Sequence, residues 1–185
     1  MLRWSRWVTV TSTLALIATS VVAIAAVSGK KAGVRDKQVE RGLYLSVLMG
    51  CGDCHTPGYL YGAPDHERHL SGSELGWTGP WGVSFPRNLT PDMETGLGKW
   101  SEREIVTALR TGTRPDGSTL LPPMPWQNFT VMTDADAYAL AAYLKSLKPV
   151  RHEMPRTVPP GEKYDGATIV MPPPPAWDVP PPAGQ

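Results

Sequence analysis

The spacing of apolar side chains predicts three α-helices in the middle of the chain. The first runs from about Asp36 to Met49 and ends at Gly50, because glycine readily adopts the left-handed backbone that closes a helix. Its large apolar residues recur at helical spacing and predict the side that faces a core. They are Val39, Leu43, Val47 and Leu48.

The other two helices are marked by polar residues at their first turns. Ser101 and Glu104 have the spacing of a capping box, and the helix that they begin ends at Gly112. The third helix begins at Thr133, where two nearby aspartates favour the positive end of the helix dipole. It ends before Pro149, since proline cannot continue a helix.

Long segments on either side of the second helix are poor in regular structure. Residues 56–100 are rich in Gly and Pro and carry no strand pattern longer than a few residues. A loop of that length is unusual unless it packs against a buried group, which favours a cofactor. Residues 149–185 include 11 prolines, which predicts an extended, polyproline-II-like tail that contributes nothing to a core. The tail is expected to be disordered or to lie as a strap on a partner.

The start of the chain has the composition of a targeting or membrane segment. Arg3 and Arg6 precede 20 uncharged residues, 8–27. That length suits a membrane-spanning helix, whereas the small residues Ala23 and Ala25 are typical of a signal cleavage site. The expected organisation is therefore an anchor or signal at 1–30, a helical domain at 36–148 and the tail at 149–185.

Charge and composition exclude several classes of function. Lys and Arg number 18 against 17 Asp and Glu, a net charge of +1 that gives no general attraction to nucleic acid or anionic lipid. The sequence contains no catalytic triad, no phosphate-binding glycine loop and no pair of catalytic acids. We therefore do not expect an enzyme that works through its own side chains.

The two cysteines carry the chemistry that decides among the remaining classes. Cys51, Cys54 and His55 form a Cys-x-x-Cys-His motif. One vicinal pair cannot make a disulfide framework, a zinc site would need further ligands, and a thioredoxin-like motif would follow a strand. The motif instead suits one covalent haem, with the thiols on its two vinyl groups and the imidazole on the iron.

A second axial ligand for the iron is sought among the methionines. Met124 lies between prolines in the segment Leu-Pro-Pro-Met-Pro-Trp, 121–126, which restricts the backbone that would present its thioether. A thioether opposite an imidazole raises the reduction potential, as electron transfer requires. Met93, a histidine or an open sixth position remain alternatives.

These motifs resemble class I c-type cytochromes, and in particular the single-haem cytochrome subunits of membrane-bound bacterial dehydrogenases. The segments that carry the resemblance are Asn88 to Asp92, Thr95 to Trp100, and Met124 to Trp126. The resemblance covers roughly Val39 to Lys148. It implies an all-α class I cytochrome c fold, with three main helices and long loops around one haem c.

The resemblance also implies positions for particular residues. The first and last helices should cross where Gly42 allows the close approach of an aromatic residue, Tyr138 or Tyr143. The haem ligands carry over as Cys51, Cys54, His55 and Met124.

Other residues are expected around the haem. A proline carbonyl should accept the Nδ1 proton of the axial imidazole, with Pro80 as first candidate and Pro86 as second. Trp100 and Trp126 could donate indole N–H groups to the haem propionates, with which Arg87 could pair. Alternatively, the two tryptophans only wall the pocket.

The predicted function is electron transfer, because six-coordinate iron leaves no position for a substrate. The resemblance implies a haem domain in the bacterial periplasm, anchored to the inner membrane or soluble after signal cleavage. Its redox partners would be subunits of a membrane-bound dehydrogenase or respiratory complex. The alternatives are a haem enzyme or gas sensor with a labile sixth ligand, and a mainly structural haem subunit of a membrane complex.

Overall fold

A computed structural model of the protein describes residues 33–172. By its contacts the chain divides into residues 1–38 and residues 39–185, and the second unit carries the fold described below. The anchor or signal predicted at 1–30 lies outside the described residues. Within 33–172, none of the helices combines the length and the apolar character that a membrane span requires.

Four α-helices make up most of the regular structure in the described residues. The first, α1, covers residues 33–48, and the short α2, Cys51–His55, follows directly after Gly50. Helix α3 is Glu102–Thr111 and helix α4 is Asp134–Ser146. Single turns of 3-10 helix lie at Tyr59–Tyr61, His66–Arg68 and Trp126–Phe129.

The helix ends follow the polar and glycine signals in the sequence. The hydroxyl of Ser101 accepts from the backbone N–H of Glu104, whose carboxylate accepts from the backbone N–H of Ser101 at 2.7 Å. The predicted capping box is therefore confirmed. Thr133 caps α4 through its side chain. Gly50 and Gly112 adopt φ angles of 65° and 69°, the left-handed backbone that ends α1 and α3.

Helices α1 and α4 cross in direct backbone contact at Gly42. A β-carbon there would lie 2.0 Å from the carbonyl oxygen of Ala139 and 2.6 Å from the Cβ of Tyr143. Only glycine fits at such a distance. The expected crossing is therefore found, and the aromatic residue that approaches Gly42 is Tyr143 rather than Tyr138.

This crossing decides which face of α1 is buried. Leu45 and Ser46 lie on the same side as Gly42 and are 7% and 2% exposed. Of the apolar side predicted from the sequence, Val39 packs against the core. The other three residues, Leu43, Val47 and Leu48, are exposed. That part of the prediction is wrong because a glycine carries no hydrophobic signal, yet it brings the helices together.

The main core lies between α3 and α4. Ile105 and Val106 of α3 pack against Leu140 and Leu144 of α4, and all four are at most 5% exposed. Leu70, from the long loop after α2, is fully buried in the same cluster. The loop thus supplies part of the core that a two-layer domain would take from another helix or sheet.

A small sheet departs from the expected all-α fold. Strand β1, Gly76–Gly79, pairs antiparallel with β2, Gly82–Ser84, and parallel with β3, Thr168–Val170, in the order β2-β1-β3. Strands of 3 or 4 residues are too short to show the alternation that predicts a strand. The helical class holds for the bulk of the domain.

The described part of the tail, residues 149–172, lies on this same domain. Val158 is 3% exposed and joins Val83 through two backbone hydrogen bonds of 2.8 and 2.9 Å. Both belong to an apolar cluster with Phe85, against which Tyr164 packs edge-on. The prediction that the tail contributes nothing to a core is therefore wrong for these residues. Prolines prevent a helix here, but the apolar residues between them remain free to be buried.

The close crossing at Gly42 makes a testable prediction. In Gly42→Ala the new methyl group overlaps the α4 backbone, so the helices must move apart. Overpacking of this kind costs about 1–3 kcal/mol, which should appear as a lower denaturant midpoint in guanidinium unfolding.

Gly33→Ala is the matched control, because a β-carbon at Gly33, in the same helix, meets no atom of residues 33–172 within 4 Å. Alanine is the better helix former, so this variant should be at least as stable as the parent. An unchanged midpoint in Gly42→Ala would contradict the direct backbone contact.

Candidate functional site

A cavity of about 640 Å³ opens beside α2. A volume of this size lies within the range that proteins use for cofactors and other small molecules. Its walls come from α2, the loop of residues 84–89, α3, the loop of residues 120–125 and α4. Most of the wall is apolar, and the aliphatic residues include Leu97, Ile105, Leu109, Leu140 and Leu144.

The predicted ligand residues meet in this cavity. Cys51, Cys54 and His55 all lie on the single turn of α2, where positions three and four apart share one face. Met124 lines the same cavity from the loop between α3 and α4. Met93, the alternative methionine, is 58% exposed at the surface. The structure thus brings together Met124, and not Met93, with the Cys-x-x-Cys-His motif.

The two cysteines are free thiols in an environment that keeps them protonated. Burial raises the pKa of Cys51 to about 11 and raises the pKa of Cys54 above its usual value. Nucleophilic cysteines have the opposite property, a lowered pKa that yields the thiolate near neutral pH. The pair is therefore poorly suited to nucleophilic catalysis and remains available for covalent attachment of a group in the cavity.

His55 is held in one orientation by a backbone hydrogen bond. Its Nδ1 lies 2.7 Å from the carbonyl oxygen of Arg87. A carbonyl can only accept, so Nδ1 carries the proton, and Nε2 of the neutral ring keeps its lone pair. Burial lowers the pKa of His55, against the opposing effect of the bond to Arg87. A neutral imidazole is the form that binds a metal ion.

Pro80 does not supply the carbonyl that was predicted to orient this histidine. It lies exposed in the turn between β1 and β2. Pro86, the second candidate, directly precedes the actual acceptor, and its own carbonyl accepts from the backbone N–H of Ser73 at 3.1 Å. Both candidates are therefore wrong, because every residue in a loop offers a carbonyl and the sequence does not mark which one is used.

The tryptophans near the cavity differ from the prediction in part. Trp100 lines the cavity, whereas Trp126 packs on the end of α3, where a β-carbon at Gly112 would lie 2.5 Å from its indole ring. Trp77, which was not among the predicted residues, also lines the cavity. Its Nε1 is buried and has no hydrogen-bond partner within residues 33–172. Only one signal in the sequence marks the position of Trp77, which is that a tryptophan lies in a Gly-rich loop.

Two arginines contribute to the cavity wall. The guanidinium of Arg87 donates to the carbonyl oxygen of Pro155 at 2.8 Å and to Oγ1 of Thr157 at 3.0 Å. Burial lowers the pKa of Arg87, and the positive charge of Arg114 lowers it further. Within the described residues neither arginine forms an ion pair, although the carboxylate of Asp116, which also lines the cavity, attracts Arg114. The two guanidinium groups bring positive charge to this part of the wall.

The residues matched by a family model settle the identity of the domain. Residues 39–148 match the model for cytochrome c, which is more than half of the 185-residue chain. The chain belongs to the cytochrome c family. The match contains the Cys-x-x-Cys-His motif, and cytochrome c domains carry haem c attached through such cysteines.

Several of the similar proteins are dehydrogenase subunits. One subunit of the nicotinate dehydrogenase of Pseudomonas putida is 37% identical over 63% of this chain and 9% of its own length. The alcohol dehydrogenase (quinone) cytochrome c subunit of Gluconacetobacter polyoxogenes is 39% identical over 60% of this chain and 22% of its own length. The fructose dehydrogenase cytochrome subunit of Gluconobacter japonicus is 31% identical over 80% of this chain and 29% of its own length. This chain thus spans less than a third of each of these relatives.

Lys145 attaches one wall of the cavity to α4. Its Nζ donates to the carbonyl oxygens of Leu97, Gly98 and Trp100 at 3.0, 2.9 and 2.8 Å. An ammonium group has three donors, and all of them are satisfied here. The loop that carries Trp100 is therefore held against the last helix.

Replacing this ammonium group should destabilise the domain. Lys145→Met keeps most of the side-chain length but leaves three carbonyls without their charged donor, at a cost of about 2 kcal/mol or more. Guanidinium unfolding of the purified protein measures the loss. Lys148→Met is the control, because Lys148 is exposed just after the same helix. Equal stability of the two variants would refute this role of Lys145.

Proposed function

We propose that this cytochrome carries electrons through one haem c, attached at Cys51 and Cys54, with His55 and Met124 as axial ligands of the iron. The observation that supports the proposal is the presence of all four side chains in the wall of one largely apolar cavity. Two thiols, a neutral imidazole and a thioether form the complete donor set of such a haem.

The surroundings of these side chains fit the proposed group. The bond from His55 to the Arg87 carbonyl leaves Nε2 as the free nitrogen for the iron. The positive charge of Arg87 and Arg114 suits the two carboxylates that a haem carries. When bound, haem supplies the reversible one-electron chemistry, while the chain binds it, orients the axial imidazole and limits access of water.

Electron transfer follows from the proposed coordination of the iron. An imidazole and a thioether would occupy both axial positions, which leaves no vacant position for a substrate. A thioether opposite an imidazole also raises the reduction potential relative to other axial pairs. The chain's own residues would then set the potential and the contact with other proteins rather than take part in bond breaking.

We further propose that the redox partners are subunits of a bacterial dehydrogenase or respiratory complex. Support comes from the names of the relatives, two of which are cytochrome subunits of dehydrogenases. The haem domain would lie in the periplasm, between the oxidoreductase and an acceptor. Residues 8–27, uncharged and 20 residues long, would anchor it to the inner membrane or be removed as a signal.

The axial role of Met124 can be tested by absorption spectroscopy. In the oxidised protein, a sulfur–iron bond produces a weak near-infrared band. Met124→Ala should abolish this band and lower the midpoint potential, because the ligand that favours ferrous iron is lost. Met93→Ala is the control, since Met93 is largely exposed, and it should retain the band and the potential.

Retention of the near-infrared band in Met124→Ala would refute the assignment. Carbon monoxide gives a second, independent measurement on the unaltered reduced protein. Fast and complete binding at neutral pH would contradict a stable sixth ligand and favour a gas-binding or catalytic haem. Slow or negligible binding is the result expected here.

A further inference from the structure

The carbonyl that orients His55 belongs to a residue whose side chain is tied to the tail. The carbonyl oxygen of Arg87 accepts a hydrogen bond from Nδ1 of His55 at 2.7 Å. The guanidinium of Arg87 donates to the carbonyl oxygen of Pro155 and to Oγ1 of Thr157. These two tail residues are 68 and 70 positions further along the chain. They also lie beyond residues 39–148, the range that matches the cytochrome c model.

A second contact connects the tail to the residue that bonds the backbone of His55. The backbone N–H of Gly72 donates to the carbonyl oxygen of His55 at 2.8 Å. Met154 of the tail covers Gly72 so closely that a β-carbon there would lie 2.7 Å from the methionine sulfur. The tail therefore contacts both backbone segments that bond His55, one through Arg87 and one through Gly72.

The tail is itself held firmly along this stretch. Asn88, next to Arg87, is 1% exposed, and its Nδ2 donates to the carbonyl oxygen of Val150 at 2.7 Å. Further along, Val158 is paired with Val83 by two backbone hydrogen bonds. Residues 150–158 are thus fixed at both ends, so the acceptors for Arg87 lie on an ordered segment rather than on a loose end.

We propose that residues 150–158 act as a clasp that positions His55 on the haem iron. This proposal rests on the proposed function, since it assumes haem at the cavity. By holding the Arg87 side chain, the clasp keeps the Arg87 peptide where its carbonyl bonds Nδ1–H of His55. Hydrogen bonding at that position fixes the ring and raises the basicity of a metal-bound histidine. Arg87 and Thr157 are therefore positioning residues.

The arrangement gives a clear direction for the effect of a weakened clasp. A longer bond between His55 and the Arg87 carbonyl makes the imidazole a weaker electron donor. A weaker donor stabilises ferric iron less, so the midpoint potential should rise. The same change should expose the Nδ1 proton, which should then exchange with solvent faster.

Arg87→Lys tests the clasp in the haem-loaded, full-length protein. Lysine keeps the charge but lacks the planar fork that reaches two acceptors at once. In the reduced, diamagnetic state, NMR should show at least tenfold faster exchange of the Nδ1 proton of His55, together with a higher midpoint potential. Arg103→Lys is the matched control: Arg103 is exposed on α3 and belongs neither to the cavity wall nor to the clasp, so neither measurement should change.

Thr157→Val provides a second variant that leaves Arg87 intact. Valine has the shape of threonine without the hydroxyl that accepts from Arg87, so exchange and potential should change in the same direction, by less. This variant keeps the test decisive if Arg87→Lys does not fold.

Two results would overturn the clasp. Unchanged exchange of the His55 Nδ1 proton in both variants would show that the tail covers the domain without positioning this histidine. A lower potential with unchanged exchange in Arg87→Lys would instead assign the guanidinium to the haem carboxylates. Failure of the proposed function is distinguishable from either, since the unaltered protein would then lack covalently bound haem.

Discussion

The backbone contact between α1 and α4 at Gly42 sets the relative position of the elements on which the site depends. With no side chain between them, the two helices cross at a fixed point, and the face of α1 that carries Leu45 becomes the buried one. Gly50 then ends α1 and leads the chain into α2. Helix α4 in turn presents Leu140 and Leu144 to the cavity beside α2. The absence of one β-carbon therefore lets α1, which leads into α2, pack directly on the helix that supplies Leu140 and Leu144 to the cavity wall.

Local signals in the sequence were sufficient for both ends of α3 and for the start of α4, whereas α1 already includes residues 33–35, before the predicted start at Asp36. The hydroxyl of Ser101 and the carboxylate of Glu104 act within one turn, so their spacing alone identifies the capping box. The buried face of α1 could not be predicted in the same way. Large apolar residues such as Val47 dominate any periodic pattern, yet Val47 is 69% exposed, because the tertiary contact at Gly42 overrides it.

The candidate site also combines residues that the sequence identifies with contacts that only the folded structure shows. Cys51, Cys54 and His55 form a compact motif whose chemistry is evident from residue type and spacing, and Met124 is marked by its prolines. The acceptor for His55 is a backbone carbonyl, which every residue possesses, so nothing in the sequence distinguishes Arg87 from its neighbours. Contacts that span some 70 residues, such as those of Arg87 with the tail, are fixed only by the completed fold.

Residues 150–158 lie far beyond the cysteine motif along the chain, and this separation affects the order in which the contacts of the domain form. Domains fold as units from the N-terminal end of the chain during synthesis, and contacts of high sequence separation form slowly. The cysteine motif at residues 51–55 is made long before residues 150–158, which later cover the loop of Arg87. Before residues 150–158 dock, the loop that carries Arg87 lacks the contacts that hold it beside the motif.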